Sequence, residues 1–153
     1  MLLFYSIFLC QLAGILGSVF TISSIPTWYA GLIKPSFNPP GWLFGPVWTI
    51  LYTLMGISLF LIWKKGFNKK RVKDAIVIFA IQLGLNAIWS PIFFGLKNTL
   101  LALFVIVVLL FFLLRTIFSF YKINKTASYL LIPYLLWSSF ATVLNFSIWF
   151  LNR

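Results

Sequence analysis

Histidine is absent from this sequence, cysteine occurs once, at Cys10, and 12 lysines and arginines face a single acidic residue, Asp74. With one thiol and no imidazole, neither an intramolecular disulfide nor a metal site built on His or paired Cys can form. General acid–base catalysis loses its usual agents and is left with tyrosine, lysine and the backbone. These shortages argue against a hydrolase or a metalloenzyme. Charge of either sign is scarce: 8% of residues are charged while 62% are hydrophobic, and mean hydropathy is +1.05. A chain of 153 residues cannot bury that much apolar surface in one small water-soluble core, so lipid must be its main solvent.

The basic excess is not the footprint of a nucleic-acid binder, whose cations spread over a wetted face. Here they cluster between apolar runs, and Lys64, Lys65, Lys69, Lys70, Arg71 and Lys73 crowd one short stretch. That pattern suits a loop lying against anionic head groups. Crossing about 30 Å of hydrocarbon takes about 20 mainly apolar residues. The sequence predicts an all-α integral membrane bundle of five transmembrane helices in a single domain, 1–153, with spans at roughly 2–25, 42–63, 75–96, 99–121 and 127–151. The first span lacks the basic region of a secretory signal and is expected to remain as a helix.

The breaks have physical causes. Pro26, Pro35, Pro39 and Pro40 prevent helix through the first loop, 26–41, and the basic run around Gly66 interrupts the second. Gly95-Leu96-Lys97-Asn98 reads as a tight hairpin, while Pro91 and Pro133 should bend the third and fifth helices. Arg115, near the end of the fourth span, can snorkel to the interface. Five spans put the basic cluster, Lys122 and Lys125 on the side of the N-terminus, with Lys34, Lys97 and Arg153 on the other. The positive-inside rule then places the N-terminus in the cytoplasm and the first loop outside, as expected of a bacterial inner-membrane protein.

The membrane interior holds no Asp, Glu or His, which argues against an ordinary proton-driven antiporter. It holds instead aromatic and amide groups at helical spacing. Trp48, Tyr52 and Met55 share one face of the second span; Gln82, Asn86, Trp89 and Phe93 share one in the third; Trp137, Ala141, Leu144 and Asn145 share one in the fifth. Singly, the amides could tie helices together and the tryptophans could pack or sit in interfacial belts, where Trp42, Trp63 and Trp149 are expected. Together, the stripes fit a cavity between helices, apolar with a few polar groups, the usual character of a small-molecule site. The proline-stiffened first loop is suited to act as an aromatic lid, or as a clamp over the helix ends.

At these residues the sequence resembles the TspO/MBR (translocator protein) family. The matching stretches are Trp28-Tyr-x-x-Leu-x-Lys-Pro35, Pro39-Pro-x-Trp-x-Phe-Gly-Pro-Val-Trp48, Gln82-Leu-x-Leu-Asn86-x-x-Trp89 with Ile92-Phe-Phe-Gly95, and Leu131-x-Pro-Tyr-Leu-x-Trp137 with Phe140-Ala-Thr-x-Leu-Asn145. They span most of the chain, in order and at coherent spacing.

The resemblance implies a five-helix bundle, often a homodimer, whose pocket beneath the first loop binds porphyrins such as protoporphyrin IX and related hydrophobic ligands, with no cofactor required. Its pocket positions fall here on Tyr29, Pro39, Trp48, Tyr52, Asn86, Trp89, Ser90, Trp137, Ala141, Leu144 and Asn145. Lys34 is a candidate to meet propionates at the pocket mouth. Animal members are associated with sterol binding through a C-terminal L/V-x-Y-x-K/R pattern, which Phe146 interrupts here. Ala80-x-x-x-Gly84 and Gly14-x-x-x-Ser18 offer small-residue faces for a homodimer. The leading expectation is tetrapyrrole binding for sensing, sequestration or transport. The alternatives are light- and oxygen-dependent porphyrin degradation, with Trp48 and Trp137 relaying radicals, and stress regulation through another membrane protein.

Overall fold

Five helices long and apolar enough to cross a membrane organise the computed structural model, which describes residues 1–153. In chain order the helices are α1 (Leu2–Ser24), α2 (Phe44–Trp63), α3 (Lys70–Ser90), α4 (Thr99–Tyr121), α5 (Lys125–Leu130) and α6 (Ile132–Asn152), with α5 and α6 together forming the fifth span. There are no strands, and the chain is an integral membrane protein.

Helix α1 packs against α2 and α3, α3 against α4, α4 against α5 and α6, and α5 returns to α2, which closes the ring. The outward faces stay apolar: Ile15, Val19, Phe104 and Phe118 are each more than half exposed. Such surface is stable only against lipid. At the end of the bundle carrying the basic cluster, Met55, Leu59, Ile62, Phe79, Leu113 and Phe120 form a fully enclosed core.

The third helix begins at Lys70, five residues before the expected start at 75. Lysine and arginine are good helix formers, so the helix runs past its apolar stretch into the wet interface; hydropathy marks the hydrocarbon, not the backbone conformation. The basic residues expected in a loop are therefore partly helical. Both prolines act where expected. Pro91 opens a wide turn, Pro91–Gly95, closed by Leu96 N–H donating to the Pro91 carbonyl, and Pro133 follows the break at Leu131 that divides α5 from α6. The hairpin after Gly95 turns through Lys97, whose φ is +56°, and the Asn98 side chain caps α4 by accepting from Leu101 N–H.

Two glycines set how closely α1 and α2 approach. A Cβ on Gly56 would fall 2.4 Å from the Ile7 backbone, and one on Gly14 would fall 2.4 Å from the Tyr52 ring. Gly14 is thus spent on packing within one chain, and the Gly14-x-x-x-Ser18 pair is not a free dimer face. Gly84, by contrast, has open space where its Cβ would be, beside exposed Ala80.

Candidate functional site

Toward the first-loop end the helices enclose a cavity of about 430 Å³. Its position follows from the crossing of α1 and α2. Gln11 makes the last hydrogen bonds between them, donating to the Thr49 carbonyl at 3.1 Å and to Thr53 Oγ1 at 2.8 Å. Beyond that point no hydrogen bond joins the pair. The cavity-lining residues Ile15, Ile22, Trp42, Gly45 and Thr49 are exposed on the outside of the bundle as well. The cavity therefore opens sideways between α1 and α2.

Its floor is a chain of hydrogen bonds across three helices. The Tyr52 hydroxyl donates to Asn86 Oδ1, Asn86 Nδ2 donates to the Tyr134 oxygen at 2.8 Å, and the Tyr134 hydroxyl donates to Gln82 Oε1 at 2.8 Å. These amides do both jobs open to them: they tie the helices, and Asn86 also faces the cavity. Higher up, Trp89 Nε1 donates to Asn145 Oδ1 at 3.1 Å, and Asn145 Nδ2 donates to the Thr99 carbonyl at 2.9 Å, joining α3, α4 and α6. Ser90 donates to the Gly17 carbonyl at 2.9 Å and contacts Thr21, anchoring α1 to α3.

Two polar groups behind the wall have no hydrogen-bond partner. Trp137 Nε1 and Ser138 Oγ are buried without a partner, and both residues line the cavity. A buried donor left unmade costs about 1–3 kcal/mol, and neither atom presents surface to the cavity, so a guest reaches one only if the wall shifts. Around them the rings are dense. Trp48 stacks on Tyr52 with centroids 5.5 Å apart and meets Tyr134 and Trp137 edge-on at 6.2 and 6.5 Å.

The first loop roofs this space. Tyr29 is buried, its hydroxyl donates to Asn38 Oδ1 at 2.6 Å, and its ring lies against Phe93 and Phe94. Burial pushes the Tyr29 phenol up to about 12, the hydrogen bond to Asn38 opposing in part. Trp28 packs edge-on against Phe93, and Phe37 against Phe140. Asn152, at the far end of α6, brackets Ile33 by accepting from its N–H at 3.0 Å and donating to its carbonyl at 2.8 Å. The loop therefore covers the cavity and is clamped to the end of α6.

The structure brings together Tyr29, Trp48, Tyr52, Asn86, Trp89, Ser90, Trp137, Ala141, Leu144 and Asn145 in one cavity wall. Pro39 lies outside that wall: it stiffens the loop ahead of Gly41, which does line the cavity. Lys34 does not reach the mouth. Its ammonium is held by the carbonyls of Tyr29, Leu32 and Ala30 at 3.0, 3.1 and 3.4 Å and sits 5.1 Å from the Tyr29 ring centroid. Trp42, expected in an interfacial belt, borders the lateral opening while 72% exposed. Trp63 is half-buried against the core rather than free in a belt.

Sequence reasoning missed the α1 wall and Tyr134. Gln11, Gly14, Ser18 and Thr21 recur every three to four residues as the small and polar stripe of an otherwise apolar helix. Tyr134 sits one turn before Trp137 and Ser138, so extending that stripe backwards would have found it. A phenol inside a membrane must find a hydrogen-bond partner.

A family model described as the TspO/MBR family matches residues 6–150. The chain belongs to the TspO/MBR family. It is 52% identical over 140 residues to the Tryptophan-rich protein TspO of Archaeoglobus fulgidus, covering 91% of this chain and 89% of that one. It is 40% identical over 141 residues to the Translocator protein of Homo sapiens, covering 91% and 83%. It is 38% identical over 125 residues to the Tryptophan-rich sensory protein of Cereibacter sphaeroides, covering 82% and 77%. Membership of the TspO/MBR family and these relatives' names support a membrane sensory or binding role.

Proposed function

We propose that the cavity binds a tetrapyrrole of the protoporphyrin IX type, taken from the bilayer, in a sensing, sequestration or transport role. The observation that carries this reading is a cavity walled by Trp48, Trp89 and Trp137 that opens sideways between α1 and α2. A flat conjugated macrocycle matches the walls, where each good ring contact adds about 0.5–1.5 kcal/mol beyond area burial. Its peripheral carboxylates or ring nitrogens supply acceptors. The opening between α1 and α2 lets an apolar guest arrive without crossing water. Since Lys34 is engaged within the loop, the propionates are assigned to the lateral opening, near Thr49 and Ser18, instead of the lid.

Filling the cavity tests this. Ala141→Phe puts a ring into the space while leaving the Tyr52–Asn86–Tyr134 chain untouched. The variant is expected to keep its helical circular dichroism and lose protoporphyrin IX binding. Undiminished affinity in a folded variant would remove the ligand from this cavity.

The contact of Trp48 with Tyr52, Tyr134 and Trp137 favours a second reading, in which these oxidisable rings relay radicals during light- and oxygen-dependent breakdown of the bound porphyrin. Equal loss of porphyrin absorbance under illumination in wild type and Trp137→Phe would eliminate it. The basic end is assigned to the cytoplasm of a bacterial inner membrane by the positive-inside rule. The open Ala80–Gly84 face of α3 is assigned to a homodimer contact, because small residues let helices approach closely.

A further inference from the structure

At the opposite end of the bundle, Lys70, Arg71, Asp74 and Ala75 of α3, Ser119 of α4 and Lys122 just past its end line an open recess between the two helices. Three cations face one carboxylate there. Asp74 is the only acidic residue of the chain, and no ion pair forms between it and any lysine or arginine, so the recess keeps its positive charge. The arrangement is electrostatically adverse for the isolated protein. Lys70, Arg71 and Lys73 occupy the first turn of α3, where the helix dipole is positive, and Lys69 at the cap position supplies no side-chain hydrogen bond to the free backbone N–H groups. Cations at a helix start are disfavoured unless an anion lies among them.

The recess also sits at the charged end of two membrane-spanning helices, where head groups are expected. Arg115 and Ser119 of α4 and Lys122, its C-cap, follow at four and three residues, so they share one side of the helix. Near them in the two helices, Phe118 and Val77 are apolar and exposed, at 64% and 49%. We propose that the α3–α4 recess binds the phosphate of an anionic phospholipid whose acyl chains lie along the apolar surface below it. Lys70, Arg71 and Lys122 would surround the phosphate, Ser119 would donate to it, and the free N–H groups at the start of α3 would add to the field. Basic pockets between membrane helices are suited to such head groups, whereas a diffuse basic loop would attract any anionic surface without saturating. The site is separate from the ring-lined cavity and does not depend on what that cavity holds.

The test titrates dioleoyl phosphatidylglycerol into the full chain in neutral detergent and follows thermal stability, with dioleoyl phosphatidylcholine and glycerol 3-phosphate as comparison arms. Saturable stabilisation by phosphatidylglycerol alone is expected. The pair Lys70→Gln with Lys122→Gln should weaken it roughly tenfold or more, at about 1 kcal/mol per cation near the surface. The pair Lys64→Gln with Lys65→Gln removes the same charge from the neighbouring loop and should leave it unchanged. Asp74→Asn, which removes the one repulsive group, should tighten binding several-fold, and that gain cannot come from misfolding. Equal losses in the two lysine pairs, an absence of saturation, or the same stabilisation from glycerol 3-phosphate would each overturn the proposal.

Discussion

Asn86 on α3 and Tyr134 on α6 meet through a 2.8 Å hydrogen bond, the amide donating to the phenol oxygen, and that bond joins Tyr52 on one side to Gln82 on the other. The chain has a direction: each group donates to the next, and Gln82 Nε2 at its far end has no partner. Tyr134→Phe deletes the middle oxygen and leaves Asn86 Nδ2 and Gln82 Oε1 buried without partners. The expected loss is about 1–3 kcal/mol, toward the lower figure because groups in an unfolded membrane chain also find partners. Thermal unfolding in detergent, beside wild type, measures it.

Trp137→Phe makes the opposite kind of prediction. The indole N–H it removes is already unpartnered, so stability should hold or rise slightly. Porphyrin affinity should fall by about tenfold or less, because most of the ring contact is kept. Melting temperature and binding measured on the same preparation separate the two effects.

Helix α1 supplies a packing test. Gly56→Ala forces a methyl against the Ile7 backbone and should cost about 1–3 kcal/mol, since backbone cannot step aside. Within a single chain Gly84→Ala meets open space and should be neutral or stabilising by up to about 1 kcal/mol through helix propensity, so a loss of stability at this position would report the homodimer contact. Thermal unfolding of the two variants should diverge in sign or size accordingly.

Much of this architecture was legible before the fold, and the misses share a cause. The span Thr99–Tyr121 was readable to the residue because an asparagine cap and a lysine bound one apolar run that carries charge only at Arg115. The start of α3 at Lys70 was not, since charged residues end a hydropathy window without ending a helix. At the site, the α2, α3 and α6 stripes were readable because tryptophan and asparagine stand out in apolar helices. The α1 wall was not: Gly14 and Ser18 look alike whether they face another copy, a neighbouring helix or a cavity, and only the Tyr52 ring above Gly14 decides. The positions of Pro39 and Lys34 were not legible for a similar reason, because loop geometry, not residue type, turns one out of the wall and the other onto the carbonyls of Tyr29 and Leu32.

The lid should respond to alkaline pH. Burial raises the Tyr29 phenol to about 12, above its usual 10, so the fold favours the neutral form. Its contribution is complete below pH 10 and is lost as pH rises through about 12. Tyr29→Phe should lower stability near neutrality by removing the bond to Asn38. The gap between variant and wild type should then shrink between pH 10 and 12. Limited proteolysis of the first loop across that range reads the difference directly.

The most direct measurement is a titration of protoporphyrin IX into the detergent-solubilised full chain, followed by quenching of tryptophan fluorescence, for wild type beside Ala141→Phe. With Trp48, Trp89 and Trp137 in the cavity wall, the account predicts strong, saturable quenching in wild type and its loss in a variant that stays helical. No saturable quenching of folded wild type, or the same curve for both proteins, would contradict it.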